Sequence, residues 1–316
     1  MANLQPSVKK TIADIKSLRI QGARNIAKEA IKALVIEAKS SKAKTISEFE
    51  KHLTFAAENI SSSRPTEPMM RNSIEMILND LQTQVNSKGI KKVDDAKKLV
   101  TKKGQEILDR FEIDIRKLVE YGAKLIPDGA TVMTHCHSST TTKIFKHAKD
   151  LKKEFNVISC ETRPRFQGRI TAKELSDYGI KTTQIVDGAA NLFMKKADMV
   201  IVGADAITSR GDLINKIGTS MIAHLAKMHD ISFYSAAETY KYSPKTFFGQ
   251  REEVEERDTK EVWDKAPKSK YLIIRNPAFE VTANEYIRAY ITESGIIPPQ
   301  LFFAIASNKL GIKIYE

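Results

Sequence analysis

The sequence predicts an α/β fold in which a helical amino-terminal domain is followed by a Rossmann-like, mostly parallel sheet domain. Two changes along the chain carry that reading. From Ser7 to about Ala123 apolar residues recur at spacings of three and four, with no strand-like alternation. After Pro127-Asp128-Gly129 they gather into short runs separated by helix-like segments of roughly 12 to 20 residues, the pattern of βαβ units. The turn at 127–129 sets the expected boundary, giving domains 1–127 and 128–316. With 316 residues, 41% of them hydrophobic, the chain can fill two cores.

Within the helical part, Ile12, Ile15 and Leu18 mark one apolar stripe, and Ile26, Ala30, Ile31, Leu34, Val35 and Ala38 the next. Gly22, Ser61-Ser62-Ser63-Arg64-Pro65 and Ser87-Lys88-Gly89 interrupt the pattern, so about four or five helices are expected, the last a long connecting helix over Val93 to Leu125. The strand candidates that follow are Ala130–Thr134, Asn156–Cys160, Gln184–Val186, Met199–Val202, Ile231–Ser235, Tyr271–Ile274 and Ala289–Thr292. Strands alternating with helices imply a parallel sheet covered on both faces, and ligands gather at the carboxyl ends of such strands. The charged stretch Arg251 to Asp258 is expected as a surface loop.

Composition narrows the function. No run approaches the roughly 18 apolar residues of a membrane span, and MANLQPSVKK lacks the apolar core of a secretory signal, so no membrane association and a cytosolic address are expected. Cys136 and Cys160 are the two cysteines, too few for a disulfide scaffold, and both are expected as free thiols. The net charge is +12, and residues 1–127 hold 24 basic against 16 acidic residues, so most of the surplus lies in the helical part. Its lysines are scattered, as in Lys97-Lys98 and Lys102-Lys103, without interleaved aromatic residues; a solvated helix surface is expected rather than a nucleic-acid partner.

The chemically distinctive residues follow the strand candidates: Thr134-His135-Cys136-His137-Ser138, Glu161-Thr162-Arg163-Pro164, Asp187-Gly188, Gly203-Ala204-Asp205 and Ala237-Glu238-Thr239-Tyr240-Lys241. These ends converge on one crevice. Cys136 sits at a strand-to-helix transition, where backbone N–H groups and the helix dipole favour a thiolate; it is a proton-transfer group or nucleophile, or else a buried cysteine between two histidines. Adjacent His and Cys positions seldom point at one ion, so no metal is expected. Asp205 is an acid or a partner for an alkoxide, or the cap of the next turn; for Asp187 the neighbouring Gly188 favours a turn role. Cys160 reads as a core residue. Arg64, Arg163, Lys241 and Asn215-Lys216-Ile217-Gly218-Thr219 are anion-binding candidates, the last as the start of a helix whose free N–H groups could seat a phosphate. Neither GxGxxG nor Walker A is present, which argues against a dinucleotide enzyme or a P-loop nucleotidase.

Several of these segments together resemble one family: QGARNIA at Gln21 to Ala27, RPT at Arg64 to Thr66, MTHCHS at Met133 to Ser138, ETRPRFQG at Glu161 to Gly168, VGAD at Val202 to Asp205, NKIGT at Asn215 to Thr219, AAETYK at Ala236 to Lys241 and GIIPP at Gly295 to Pro299. The family is the one shared by archaeal ribose-1,5-bisphosphate isomerase, 5-methylthioribose-1-phosphate isomerase and the regulatory subunits of translation initiation factor 2B. MTHCHS, ETRP and AAETYK resemble the first more closely than the second, whose cysteine motif usually reads HCNTG.

The resemblance implies an isomerase that interconverts ribose 1,5-bisphosphate and ribulose 1,5-bisphosphate, with Cys136 and Asp205 as the catalytic pair. It implies substrate contacts from Gln21, Gly22, Ala23, Arg24, Arg64, Asn215, Lys216 and Lys241, no cofactor, and a homo-oligomer, a hexamer of three dimers. One departure stands out: the sugar-phosphate isomerases usually carry Arg-Gly where this chain has Gln21-Gly22. That substitution is more like the translation-factor branch and implies the alternative, a non-catalytic regulatory subunit that binds a sugar phosphate or nucleotide and a translation factor.

Overall fold

The computed structural model describes residues 4–312 and divides the chain into two compact units. One contains the residues up to Ile113 together with those from Leu310 on; the other is Asp114–Lys309.

The first unit is helical. Its elements are α1 (Pro6–Lys16), α2 (Ala23–Ser40), α3 (Ile46–Ser61), α4 (Pro68–Lys88) and the start of α5 (Val93–Leu125), inside which the division between units falls. The starts follow from capping chemistry. Pro stands at the first turn of α1 and α4, where its missing N–H is not needed, and the Thr45 hydroxyl accepts the Glu48 N–H at the head of α3. Helix α2 is the hub: Ile26, Ala27, Ala30, Ile31, Leu34 and Ala38 are fully buried against α1, α3 and α4. Fully burying an Ile or Leu contributes about 1.5–3 kcal/mol, so this stripe dominates the unit's stability. Helix α5 comes close to it because Gly104 has no side chain; a Cβ there would lie 2.7 Å from Val35 Cγ2.

The second unit is a seven-stranded sheet of β1 (Thr131–His135), β2 (Asn156–Cys160), β3 (Lys181–Ile185), β4 (Met199–Val202), β7 (Ser232–Ala236), β9 (Ala289–Thr292) and β10 (Gly295–Ile297), in the order β10-β9-β7-β4-β1-β2-β3. All pairs are parallel except β9 with β10. A second, antiparallel sheet of β5 (Ala206–Ile207), β6 (Leu213–Lys216) and β8 (Phe279–Thr282) extends from the carboxyl end of β4. Helices α6 (Ser139–Asp150), α7 (Gln167–Asp177), α8 (Ala190–Met194), α9 (Thr219–Met228) and α10 (Pro299–Leu310) complete the fold. Val132, Val157 and Ile201 pack with Ile144, Phe145 and Leu175 in the main core. Among the described residues no helix is long and apolar enough to cross a membrane.

The chain order creates the crevice. It runs outward from β1 to β2 and β3, then returns to lay β4 on the other side of β1, so the connections leaving β1 and β4 diverge to opposite sides. The gap between those two carboxyl ends is the switch point at which open α/β sheets bind ligands.

Two strand expectations need correction. Tyr271–Ile274 forms no strand; Tyr271 and Ile273 are 86% and 82% exposed, and the residues that join the small sheet are Phe279–Thr282. The third strand is Lys181–Ile185 rather than Gln184–Val186: it is the edge of the sheet, and its exposed Lys181 and Gln184 break the apolar run by which buried strands are recognised.

The seating of α7 against β2 can be tested. A Cβ on Gly168 would lie 1.7 Å from the Cys160 carbonyl oxygen, whereas one on Gly188 meets nothing within 4 Å. Gly168→Ala is therefore expected to destabilise the protein by about 1–3 kcal/mol or more in urea denaturation, while Gly188→Ala changes stability little.

Candidate active site

Cys136 is the first residue past β1, in the left-handed region at φ 67°. A side-chain-bearing residue there is strained, and two hydrogen bonds hold it: its N–H donates to Thr162 Oγ1 at 2.8 Å, and its carbonyl accepts from Thr171 Oγ1 at 2.9 Å. The Thr162 turn is tied down in turn, the Thr162 and Arg163 N–H groups both donating to the Asp187 carboxylate. Asp187 begins a short turn with Gly188, as its sequence context suggests, but its carboxylate braces the Thr162 turn rather than its own.

Asp205 follows β4. Its N–H donates to the Ile214 carbonyl at 3.0 Å, which starts the β5–β6 pairing and sets Asp205 beside Asn215 and Lys216. Lys241, 5% exposed, donates from Nζ to the carbonyl of Ala204 at 2.8 Å and pairs with Glu238 at 3.4 Å, holding the peptide that carries Asp205. The segment bearing Lys241 is itself anchored: the Thr239 N–H and hydroxyl both donate to Glu293, which Lys309 bridges to buried Asp114.

Charge and burial compete at the thiol. Burial is the largest influence on Cys136 and pushes it up to about 11; the positive charge of Lys216 pulls it down, while Asp205 and, more weakly, Asp187 push it further up. These influences place Lys216 and Asp205 within electrostatic reach of the sulfur. They also run against the expected thiolate: α6 begins only at Ser139, its N-cap Ser138 already accepts the Thr141 N–H, and burial outweighs both Lys216 and the His137 N–H that favour the thiolate. Cys160, in the core as expected, is pushed up to about 12 by burial.

The helix start at 215–219 also departs from expectation. Asn215 and Lys216 lie on β6, α9 begins at Thr219, and the Gly218 and Ser220 N–H groups donate to the Glu280 carboxylate. An internal carboxylate fills the place proposed for a phosphate. Asn215 Nδ2 donates to Thr219 Oγ1. Lys216, 8% exposed as a residue, holds its ammonium 4.6 Å from the centre of the Phe279 ring and makes no hydrogen bond to a protein acceptor among the described residues.

Of the predicted site residues, Cys136, Asp205, Asn215, Lys216 and Lys241 therefore come together in the second unit. Gln21, Gly22, Ala23 and Arg24 lie in the helical unit at the head of α2. Gln21 Nε2 donates to the Leu18 carbonyl, Gly22 takes φ 82° as the N-cap, and Arg24 is buried with Nη1 on the Phe111 carbonyl at 2.8 Å. Arg64, ahead of α4, has Nε 3.4 Å from Glu67. Arg163 donates to the Val262 carbonyl, tying its turn to the distant turn at Thr259–Glu261.

The single-residue reading missed His135, Thr162 and Glu280. His135 Nδ1, Cys160 Sγ and an Asp187 carboxylate oxygen lie within 4.8 Å of one another, a grouping that three separate strand ends create and that the adjacent His-Cys-His run does not reveal.

Comparisons with known proteins agree on the whole chain. The sequence profile of the Initiation factor 2 subunit family matches residues 19–299. The chain is 42% identical to the ribose 1,5-bisphosphate isomerase of Methanocaldococcus jannaschii over 304 residues, covering 96% of each chain. It is 42% identical to the protein of the same name from Pyrococcus furiosus over 300 residues, 94% of this chain and 92% of that one. Among solved structures, the translation initiation factor eIF-2B of Pyrococcus horikoshii superposes with a TM-score of 0.78 at 32% identity, covering 94% of this chain and 98% of that one.

The protonation state of the site is directly measurable. With its thiol held near 11, Cys136 carries about one thiolate in ten thousand at pH 7. Iodoacetamide labelling of Cys136, followed by mass spectrometry, is expected to speed up about tenfold per pH unit through the neutral range, with Cys160 unlabelled in the folded protein.

Proposed function

Because this chain belongs to the initiation factor 2 subunit family, we propose that it is an isomerase interconverting ribose 1,5-bisphosphate and ribulose 1,5-bisphosphate, with Cys136 and Asp205 as its proton-transfer pair. The observation that carries the reading is Lys216, a nearly buried residue whose charge reaches the Cys136 thiol and whose ammonium has no protein acceptor among the described residues. A cation in a cleft with no internal partner suits an anionic ligand, and a phosphorylated sugar supplies one.

The substrate's C1 oxygen is phosphorylated, so the ring cannot open to a free aldehyde. The C2–H bond breaks instead; its electron pair forms the C1=C2 bond as the bond from C1 to the ring oxygen breaks, and that oxygen takes up a proton. The product of this step is an enol phosphate with a hydroxyl on C2. The hydroxyl then loses its proton to form the C2 carbonyl, and C1 gains one. Cys136 takes the C2 proton as thiolate and returns a proton to C1. Asp205 protonates the ring oxygen and then accepts the proton from O2.

The pair needs a single shared proton for this sequence. Burial favours its position on sulfur; transfer to the carboxylate puts both groups in the forms the first step requires. Lys216 and Asn215 hold the phosphates and hydroxyls, with Lys241 fixing the peptide that carries Asp205. The reading also includes a homo-oligomer of three dimers and a cytosolic setting.

Gln21, in place of the usual arginine, favours a second reading: a regulatory subunit that binds a sugar phosphate without turnover. A coupled assay with ribose 1,5-bisphosphate, compared with methylthioribose 1-phosphate, separates the two. Ketose is expected from the bisphosphate, with Cys136→Ser and Asp205→Asn each lowering kcat by about 10²–10⁴-fold. Binding without ketose formation by the folded wild-type protein would favour the regulatory subunit.

A further inference from the structure

We propose that His135 is a positioning residue, the internal strut that holds the Lys216 segment in register with Cys136. The inference deepens the isomerase reading and rests on it for its kinetic consequences.

His135 is the last residue of β1, 2% exposed, directly before Cys136. Its Nε2 lies 2.8 Å from the carbonyl oxygen of Ile217, the residue after Lys216. A carbonyl only accepts, so Nε2 carries the proton and Nδ1 is left as an acceptor in the neutral ring. Nδ1 faces Thr162 Oγ1 at 3.5 Å, the same hydroxyl that receives the Cys136 N–H, and the Asp187 carboxylate at 3.9 Å. One imidazole thus spans the turn that orients the thiol and the strand end that carries Lys216.

The chain makes room for it. Gly218 takes φ +98°, and a Cβ there would lie 2.8 Å from His135 Cε1 and Nε2. The ring therefore rests on bare backbone beside the carbonyl it binds. Burial also lowers the tendency of His135 to protonate, outweighing Asp187 and Glu280, and the neutral ring keeps the strut in a single tautomer.

No proton of the reaction is assigned to His135. Its effect passes through Ile217 to Lys216, so it acts on phosphate binding and on the charge beside the sulfur. This predicts a division in the kinetics that a contribution to stability alone would not produce.

The test is a series at one position. His135→Gln can still offer an amide N–H to Ile217; His135→Asn is polar but too short; His135→Leu fills the space without a donor. For ribose 1,5-bisphosphate, KM is expected to rise about tenfold or more in the Leu and Asn variants with a smaller fall in kcat, and to return to within about threefold of wild type in the Gln variant. If the Leu variant fails to fold, the Asn variant carries the same comparison.

A second readout needs no turnover. Displacing Lys216 removes the charge that lowers the Cys136 thiol, so the iodoacetamide pH profile of the Leu and Asn variants shifts to higher pH while that of the Gln variant stays at wild type. If both KM and the labelling profile are unchanged in folded Leu and Asn variants, or if Gln fails to restore them, the proposal is overturned. If the wild-type protein turns over no sugar, yet the labelling profiles of the Leu and Asn variants shift as described, the isomerase reading falls and the strut stands.

Discussion

The close approach of two strand ends governs this site. Gly203, at the carboxyl end of β4, lies against Ser138 in the loop leaving β1, and a Cβ on it would fall 2.7 Å from both Ser138 Cβ and Oγ. Ser138 cannot retreat without a penalty, because its hydroxyl caps α6 through the Thr141 N–H, an interaction worth about 1 kcal/mol. Only a residue without a side chain lets the loops close to this distance, and the closure brings Asp205 within electrostatic range of Cys136. The left-handed backbone at Cys136 belongs to the same constraint. It costs of the order of 1–2 kcal/mol, held by the threonine hydroxyls on either side of the peptide.

Packing of this kind leaves charged groups with little water, and each is handled differently. Lys241 has a carbonyl and a carboxylate; Lys309 has two carboxylates and the face of Tyr240. These are internal struts, and their partners make their burial tolerable. Lys216 has a ring face and nothing that accepts a hydrogen bond among the described residues. Lys216 is thus the one of the three without a protein acceptor among the described residues, although all three look alike as letters.

Much of the architecture could be read from residue order because it depends on local periodicity. The 3.6-residue stripes gave the helices, including α5 at Val93–Leu125, and uninterrupted apolar runs gave β2, β4 and β9 with their bounds. The edge strand β3 and the small antiparallel sheet escaped, since an exposed edge and a two-residue strand carry little hydrophobic pattern. At the site, Cys136 and Asp205 stood out as reactive residue types at strand ends. The roles of Glu280 and Asp187 did not, because they depend on which backbone N–H groups tertiary packing delivers to each carboxylate. The thiol's protonation was misjudged for a related reason: proximity to a helix start is visible in sequence, whereas the burial that overrides it is a property of the assembled sheet.

A thiol near 11 looks poorly suited to taking a proton at neutral pH, yet the arrangement is consistent with the proposed chemistry. Raising a thiol's pKa makes its thiolate rarer by about tenfold per unit but also more basic, and with a Brønsted slope near 0.5 about threefold of that is recovered in reactivity. The remaining loss holds whichever group takes the proton, because the population of the reactive form does not depend on the path by which the proton leaves the sulfur. Asp205 lies within electrostatic range of the sulfur, and in the proposed reaction the reactive form carries the proton on the carboxylate, at a population set by the difference between the two groups. On that view the carboxylate both protonates the ring oxygen and stores the thiol's proton. Closure at Gly203 then matters for more than packing, because the separation of the two strand ends sets how strongly the Asp205 charge acts on the sulfur.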